Sequence, residues 1–293
     1  MTSRSDHIYA VGSIAASIFL SAFTLLLSIV PVNYDGTIPA KTVIEYMLTV
    51  NGEIFLTSSG HSAPLICCSV NNRWFALFLP LLCALPSIRR ISAELNGNYR
   101  LQLVREKSFS RYWSKTFLRS GFFGAVCVTV GFLIFCTAVF CYFPHNAEYL
   151  LEYPENSLEE LTLQRKLLDS PLNKLFGTQS ELLYIFNCAL TIFVFAFVIS
   201  VLCLTTYLLV KNSYKALGLP MIAFFLLEQS VDSMWLKGNT KALAFCPKYI
   251  VFWTEYSLGQ WNLGAWWYYA FTAAFTSAFY LLGRLIFRKR VMN

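Results

Sequence analysis

The sequence predicts an all-α, polytopic integral membrane protein with six transmembrane helices and with both termini in the cytoplasm. Of the 293 residues, 56% are hydrophobic and 13% are charged, whereas a soluble domain has roughly 25% charged residues. The chain also divides into six apolar runs, and a helix needs roughly 20 apolar residues to cross a bilayer. Together these observations exclude a water-soluble domain.

A basic island at residues 87–120, between the second and third apolar runs, determines the predicted orientation. It contains eight Lys and Arg residues against Glu94 and Glu106. Loops rich in Lys and Arg stay in the cytoplasm because their translocation is resisted during insertion. With the island inside, the cytoplasmic segments carry a net charge of +12 and the outer segments −5, which accounts for the overall +7. This clustering of basic residues by loop argues against nucleic acid as a partner.

The first predicted span, residues 8–32, is interpreted as a retained helix. A cleaved signal peptide is the alternative, but the apolar run is longer than the roughly 7–15 residues of a signal sequence and lacks a clear small-x-small cleavage site. Ser13, Ser17 and Ser21 follow one another at four-residue spacing. Small residues at this spacing favour the close approach of another helix inside a membrane.

The second predicted span, residues 72–88, is short and is interrupted by Pro80 and Pro86. Flanking residues therefore have to extend this helix for it to cross the bilayer. The later runs are free of charge over most of their length, and only the fifth contains carboxylates, at Glu228 and Asp232. The remaining predicted spans are residues 120–143, 182–210, 216–235 and 264–287.

Between these spans the topology places three larger segments outside the membrane, at residues 33–71, 144–181 and 236–263. In the first of them, residues 44–57 are expected to pair as a short hairpin around Asn51 and Gly52. In the second, residues 157–168 have the pattern of an amphipathic helix.

The sequence contains no motif for catalysis or for metal binding. It has no Gly-x-x-x-x-Gly-Lys-Ser/Thr phosphate loop, no His-Glu-x-x-His and no Gly-x-Ser-x-Gly, and its three histidines lie apart. The chain is therefore not expected to be an enzyme or to hold a metal. Six of the nine cysteines lie in apolar runs as small core residues. For Cys67, Cys68 and Cys246, in the outer segments, a disulfide and free thiols are both open alternatives.

The basic island carries the most specific pattern in the chain. An apolar stretch with two prolines ends at Pro86, an acidic residue is followed by Gly and a basic residue, and a Ser-x-x-x-Tyr-x-x-Lys stretch leads into the third span. This pattern resembles the permease subunits of type 2 ABC exporters, in particular the six-span kind common in Gram-positive bacteria. The matching residues are Glu94, Gly97, Arg100, Ser108, Tyr112 and Lys115.

The resemblance implies a function and a set of partners. In this family the loop after the second span docks a separate cytoplasmic ATPase, and two permeases, identical or homologous, work with two ATPases. The matched residues would contact that ATPase through a coupling loop at residues 89–119, and the partner would bind the ATP and Mg²⁺. The chain would then be a multi-pass permease of the cell membrane that exports a peptide, a lipid or a drug-like substrate. One departure is the short segment before the first span, where the family usually has an interfacial helix.

Two alternatives stay open at the level of sequence. If the island is only a solvated loop that satisfies the orientation rule, the protein is a non-transporting membrane scaffold or assembly subunit. Glu228 and Asp232, near the outer end of the fifth span, either line a polar pathway or lie in the membrane interface where the helix ends.

Overall fold

The computed structural model describes residues 4–27, 29–30, 41–42, 73–93, 108–142, 171–178, 180–210, 212–239 and 266–292. Within these ranges the chain is almost entirely helical. The helices are α1 (Arg4–Leu27), α2 (Arg73–Ala93), α3 (Phe109–Tyr142), α4 (Pro171–Phe176), α5 (Glu181–Val210), α6 (Ser213–Leu236) and α7 (Trp266–Met292).

Each of the six predicted spans falls on one of the long helices, and α4 is a single short turn of helix before α5. Among the described residues, three helices are long and apolar enough to cross a membrane: α3, α5 and the 269–289 part of α7. Shorter apolar stretches lie in α1 and α2. The structure therefore supports a helical membrane protein with several candidate spans.

One small β element interrupts the helices. Strand β1 (Ile29–Val30) pairs with β2 (Lys41–Thr42) in an antiparallel register. Ile29 and Val30 belong to the predicted first span, whereas in the structure they form an extended strand after α1. β-branched residues favour this extended conformation. The predicted hairpin at residues 44–57, the amphipathic helix at 157–168 and the three outer cysteines lie outside the described residues.

Helix α5 occupies the centre of the bundle. In the apolar window of α5, 72% of the residues are buried inside the protein, against 17% in the window of α7. The helix contacts α2, α3, α6 and α7. It follows that α5 is the common packing partner, whereas α7 lies at the periphery.

Asn212 sets the sharp reversal between α5 and α6. Its side-chain oxygen accepts hydrogen bonds from the backbone N–H groups of Tyr214 and Lys215, at 2.9 and 3.1 Å. This is the geometry of a helix N-cap, which satisfies donors that have no partner within the helix. The cap begins α6 directly after α5, and the contact between Phe195 of α5 and Phe224 of α6 shows that the two helices run antiparallel side by side.

The serine stripe of α1 is buried, as its spacing predicts. Ser13, Ser17 and Ser21 are all completely buried. Ser17 Oγ donates to the carbonyl oxygen of Val128 in α3 at 3.1 Å. At Gly131 of α3, a Cβ atom would lie 2.6 Å from Ser17 Cβ and 2.9 Å from the Ile14 carbonyl oxygen. The backbones of α1 and α3 therefore approach more closely than a larger residue would allow.

We expect Gly131→Ala to destabilise the protein. Overpacking of a close contact costs about 1–3 kcal/mol, more than the roughly 1 kcal/mol that Ala contributes over Gly in a helix. Gly218→Ala is the matched control, because nothing lies within 4 Å of a Cβ built at Gly218. Thermal unfolding in detergent micelles should give a lower midpoint for Gly131→Ala than for Gly218→Ala. Equal midpoints would contradict the close approach of α1 and α3.

Candidate functional site

Most of the exposed basic side chains among the described residues lie at one end of the bundle, and we call it the basic end. Here α2, α5 and α7 end, and α3 and α6 begin. The opposite end, where α3 and α6 end, is called the far end. The exposed basic residues of the basic end are Arg111, Lys115, Arg119, Lys215, Arg288 and Lys289.

Helix α3 extends well into the basic island. It has 34 residues, which corresponds to about 51 Å at roughly 1.5 Å per residue, whereas the hydrocarbon core of a bilayer is about 30 Å thick. Residues 109–119, which we had placed in the coupling loop, are thus part of the helix. Ser108 begins it, because its Oγ accepts a hydrogen bond from the N–H of Arg111 at 3.3 Å, as an N-cap does.

The first turns of α3 have one charged face and one aromatic face. Arg111, Lys115 and Arg119 are exposed, whereas Tyr112 and Trp113 are 3% and 1% exposed. The ring of Phe287 in α7 stacks on both, with centroids 5.9 and 5.7 Å away. We call this contact between α3 and α7 the aromatic junction; its rings are Phe109, Tyr112, Trp113, Phe117, Tyr280 and Phe287.

Two polar contacts fix the geometry of the aromatic junction. Trp113 Nε1 donates to the carbonyl oxygen of Tyr280 at 3.1 Å, and Ser114 Oγ lies 2.8 Å from the Tyr280 hydroxyl. Gly283 makes room for the indole, since a Cβ there would lie 2.5 Å from Trp113 Cζ2. The indole is thereby held in one orientation between the two helices.

The matched residues of the basic island separate into different environments. Ser108 caps α3, Tyr112 is buried in the aromatic junction, and Lys115 is exposed. Any contact of Tyr112 with an ATPase would therefore be indirect, through the position of α3, whereas Lys115 can touch a partner. The other three, Glu94, Gly97 and Arg100, lie outside the described residues.

The far end of α5 and α6 contains a second polar region. The rings of Phe195 and Phe224 lie 6.2 Å apart, centroid to centroid, across the two helices. Because α5 and α6 are antiparallel, one turn toward the far end from this contact brings Thr191 and Glu228 to the same level. Glu228 is only 2% exposed, and Asp232 follows one turn later at intermediate exposure.

Helix α7 completes this region, which we call the polar layer. The Tyr269 side chain hydrogen-bonds to the side chain of Thr191, and Thr191 Oγ1 donates to the carbonyl oxygen of Asn187 at 2.9 Å. Asn187 is 4% exposed, and its Oδ1 finds no donor among the described residues. Buried polar side chains in a membrane-spanning bundle are costly, so their concentration at one level marks a candidate pathway or binding region.

Sequence reasoning found Glu228 and Asp232 but missed Asn187, Thr191 and Tyr269. A single polar residue in a long apolar run looks like part of an ordinary span. The available signal was Asn187, the one amide side chain between Glu181 and Lys211. Its one-turn spacing to Thr191 places both on one face of a helix.

The described cysteines give no sign of metal chemistry. Cys83, Cys127 and Cys203 are buried free thiols, and Cys203 Sγ lies 3.7 Å from the Pro80 carbonyl oxygen. Among the residues that the structure describes, no group of His, Cys, Asp and Glu is arranged to hold a metal ion. These thiols act there as core residues.

Comparison with protein-family models, with curated proteins and with solved structures found no match to this chain.

Replacing Trp113 by Ala should lower the free energy of unfolding by about 3–5 kcal/mol, because truncating a buried aromatic residue leaves a cavity. Trp267→Ala is the control, since it makes the same change in α7, the partner helix of the junction, at a tryptophan that is 51% exposed. We expect it to change stability by no more than about 0.5 kcal/mol. Denaturant unfolding in micelles checks both. A Trp113→Ala variant as stable as Trp267→Ala would mean that the aromatic junction does not hold α3 to α7.

Proposed function

We propose that this chain is the membrane-spanning permease subunit of an ATP-driven exporter, with six spans and with the basic end in the cytoplasm. The single observation that carries the proposal is the 34-residue helix α3, which continues from the basic island through a bilayer without interruption. In such a machine, ATP-driven movement of a docked ATPase must reach the membrane as rigid-body motion. A continuous helix of about 51 Å is suited to transmit it.

The aromatic junction supports the same role. A push on the exposed start of α3 would displace α7 as well, because Trp113 and Tyr112 are packed against Phe287 and Tyr280. Two helices would then respond to one docking event. The exposed basic side chains around the junction offer a surface for an acidic partner.

The polar layer is the proposed part of the transport pathway. Glu228, Thr191 and Asn187 are buried within adjacent turns of the far half of the bundle, where an apolar environment strengthens each polar contact. A substrate with hydrogen-bonding groups would find partners there after release from the cytoplasmic side. The proposed substrate is a peptide, a lipid or a drug-like compound.

Lys115→Glu should reduce the amount of ATPase that co-purifies with an affinity-tagged permease from its native host. A hydrogen bond to a charged group contributes about 1.5–3 kcal/mol, so we expect at least a roughly tenfold loss. Lys174→Glu makes the same change at an exposed lysine of the far end and should leave recovery unchanged. If the wild type itself retains no ATPase in an intact membrane complex, the exporter proposal fails and the scaffold alternative replaces it.

The orientation can be tested with a membrane-impermeant thiol reagent on intact cells. Asn239 and Tyr214 are exposed at opposite ends of α6, so Asn239→Cys should react at once and Tyr214→Cys only after permeabilisation. The background should have Cys141 and the outer-segment cysteines replaced by Ser, because Cys141 is exposed near the end of α3. Equal labelling of the two positions on intact cells would refute the proposed orientation.

A further inference from the structure

Helix α2 contains a proline at a position that breaks its backbone hydrogen bonding. Pro86 lies inside the helix and has no N–H, so the carbonyl oxygen four residues earlier, at Leu82, loses its donor within the helix. Leu82 is 1% exposed, and water is scarce inside such a bundle. An unsatisfied backbone carbonyl would be costly there.

The structure shows what replaces the missing donor. Ser13 Oγ of α1 donates to the Leu82 carbonyl oxygen at 2.7 Å, a short hydrogen bond between two completely or almost completely buried residues. Ser17 makes a similar bond one turn later on α1, to Val128 at 3.1 Å. The two acceptors differ, because Val128 lies within the continuous helix α3 and has the N–H of Phe132 as its regular donor. Ser13 is thus the only one of the pair whose acceptor lacks a donor in its own helix.

Neighbouring carbonyl groups of α2 are held less firmly. Ser200 Oγ of α5 lies 3.4 Å from the Cys83 carbonyl oxygen, but it donates at 2.8 Å to Ala196 in its own helix. The thiol of Cys203 lies 3.7 Å from the Pro80 carbonyl oxygen and is a weak donor. Of these three contacts from other helices to carbonyl groups of α2, that of Ser13 is the shortest.

Pro86 lies close to the end of α2, so only a short helical segment follows it. Only seven helical residues, 87–93, follow Pro86, and they lead from the bundle into the basic island. A helix end that begins at a proline is joined to the rest by fewer backbone hydrogen bonds than an uninterrupted helix. Its local opening should accordingly require less free energy than that of α3.

We infer that α2 is a two-part helix whose end, residues 87–93, opens as a unit about Pro86, and that the Ser13 hydroxyl of α1 favours the closed form by satisfying the Leu82 carbonyl next to the break. The opening is a property of this chain alone. Any role of this opening in communication with an ATPase rests on the proposed function, in which the same segment leads into the coupling loop.

Hydrogen–deuterium exchange of the full-length protein in lipid nanodiscs, measured by mass spectrometry without any ATPase, tests the inference. Ser13→Ala should raise the exchange rate of the amides of residues 87–93 about tenfold, because the Leu82 carbonyl then lacks the Ser13 donor in the closed form and gains a hydrogen bond from water when the segment opens. Ser17→Ala is the matched control and should change that rate less than about twofold, since the Val128 acceptor keeps its helical donor.

Substitution of Pro86 gives a second, independent arm of the exchange experiment. Pro86→Ala restores an N–H four residues after Leu82, so exchange at 87–93 should fall below the wild-type rate. In the double variant Ser13→Ala/Pro86→Ala, the loss of the hydroxyl should have little further effect. This arm also covers the case in which Ser13→Ala alone does not fold.

The inference is overturned if Ser13→Ala accelerates exchange equally with and without Pro86→Ala, or if Pro86→Ala leaves exchange at 87–93 unchanged. If the exchange results are as expected but no ATPase co-purifies, the opening of α2 about Pro86 is supported and the exporter proposal fails. The failure of one is therefore distinguishable from the failure of the other.

Discussion

Backbone hydrogen bonding in an apolar medium is the constraint on which the rest of this structure depends. Each carbonyl group must find a donor without help from water, and Pro86 of α2 makes this difficult at Leu82. The small residues of α1 answer the constraint: Ser13 is short enough for α1 to pack against α2, and its hydroxyl reaches the carbonyl oxygen at 2.7 Å. The contact between Ser13 and Leu82 thus both packs α1 closely against α2 and gives the Leu82 carbonyl a hydrogen-bond donor.

The sequence predicted the helices well where apolar length alone decides, and less well at their ends. Each of the six apolar runs contains a long helix, and the buried stripe that includes Ser17 follows from its spacing. Apolar length does not locate the start of α3, since a segment with Arg111 and Lys115 resembles a solvated loop by composition. What makes it helical is the cap at Ser108 and the burial of Trp113 against α7, a partner about 170 residues away that local pattern does not reveal.

In the candidate site, too, some residues are evident from local sequence and others only from tertiary contacts. Glu228 was found because a carboxylate stands out in an apolar run, and the structure buries it. Asn187 and Tyr269 were missed because their significance comes from the register of α5 with its neighbours on either side. That register is set by the Phe195–Phe224 contact and by the Tyr269–Thr191 hydrogen bond, which are tertiary facts. The motif in the island was found as a pattern, yet its tyrosine is buried in the aromatic junction and its lysine is exposed.

The two helices that bracket the basic island are mechanically unlike, and this contrast gives the proposed machine a direction of force. α3 is continuous for 34 residues, is capped at its start and is held to α7 by the aromatic junction. α2 is interrupted at Pro86 only seven residues before its end, and its Leu82 carbonyl accepts from a hydroxyl of α1. A load applied to the island would bend α2 at its weaker point and move α3 as a whole. The rigid path then leads through α3 to α7, whose contact at Tyr269 reaches the polar layer.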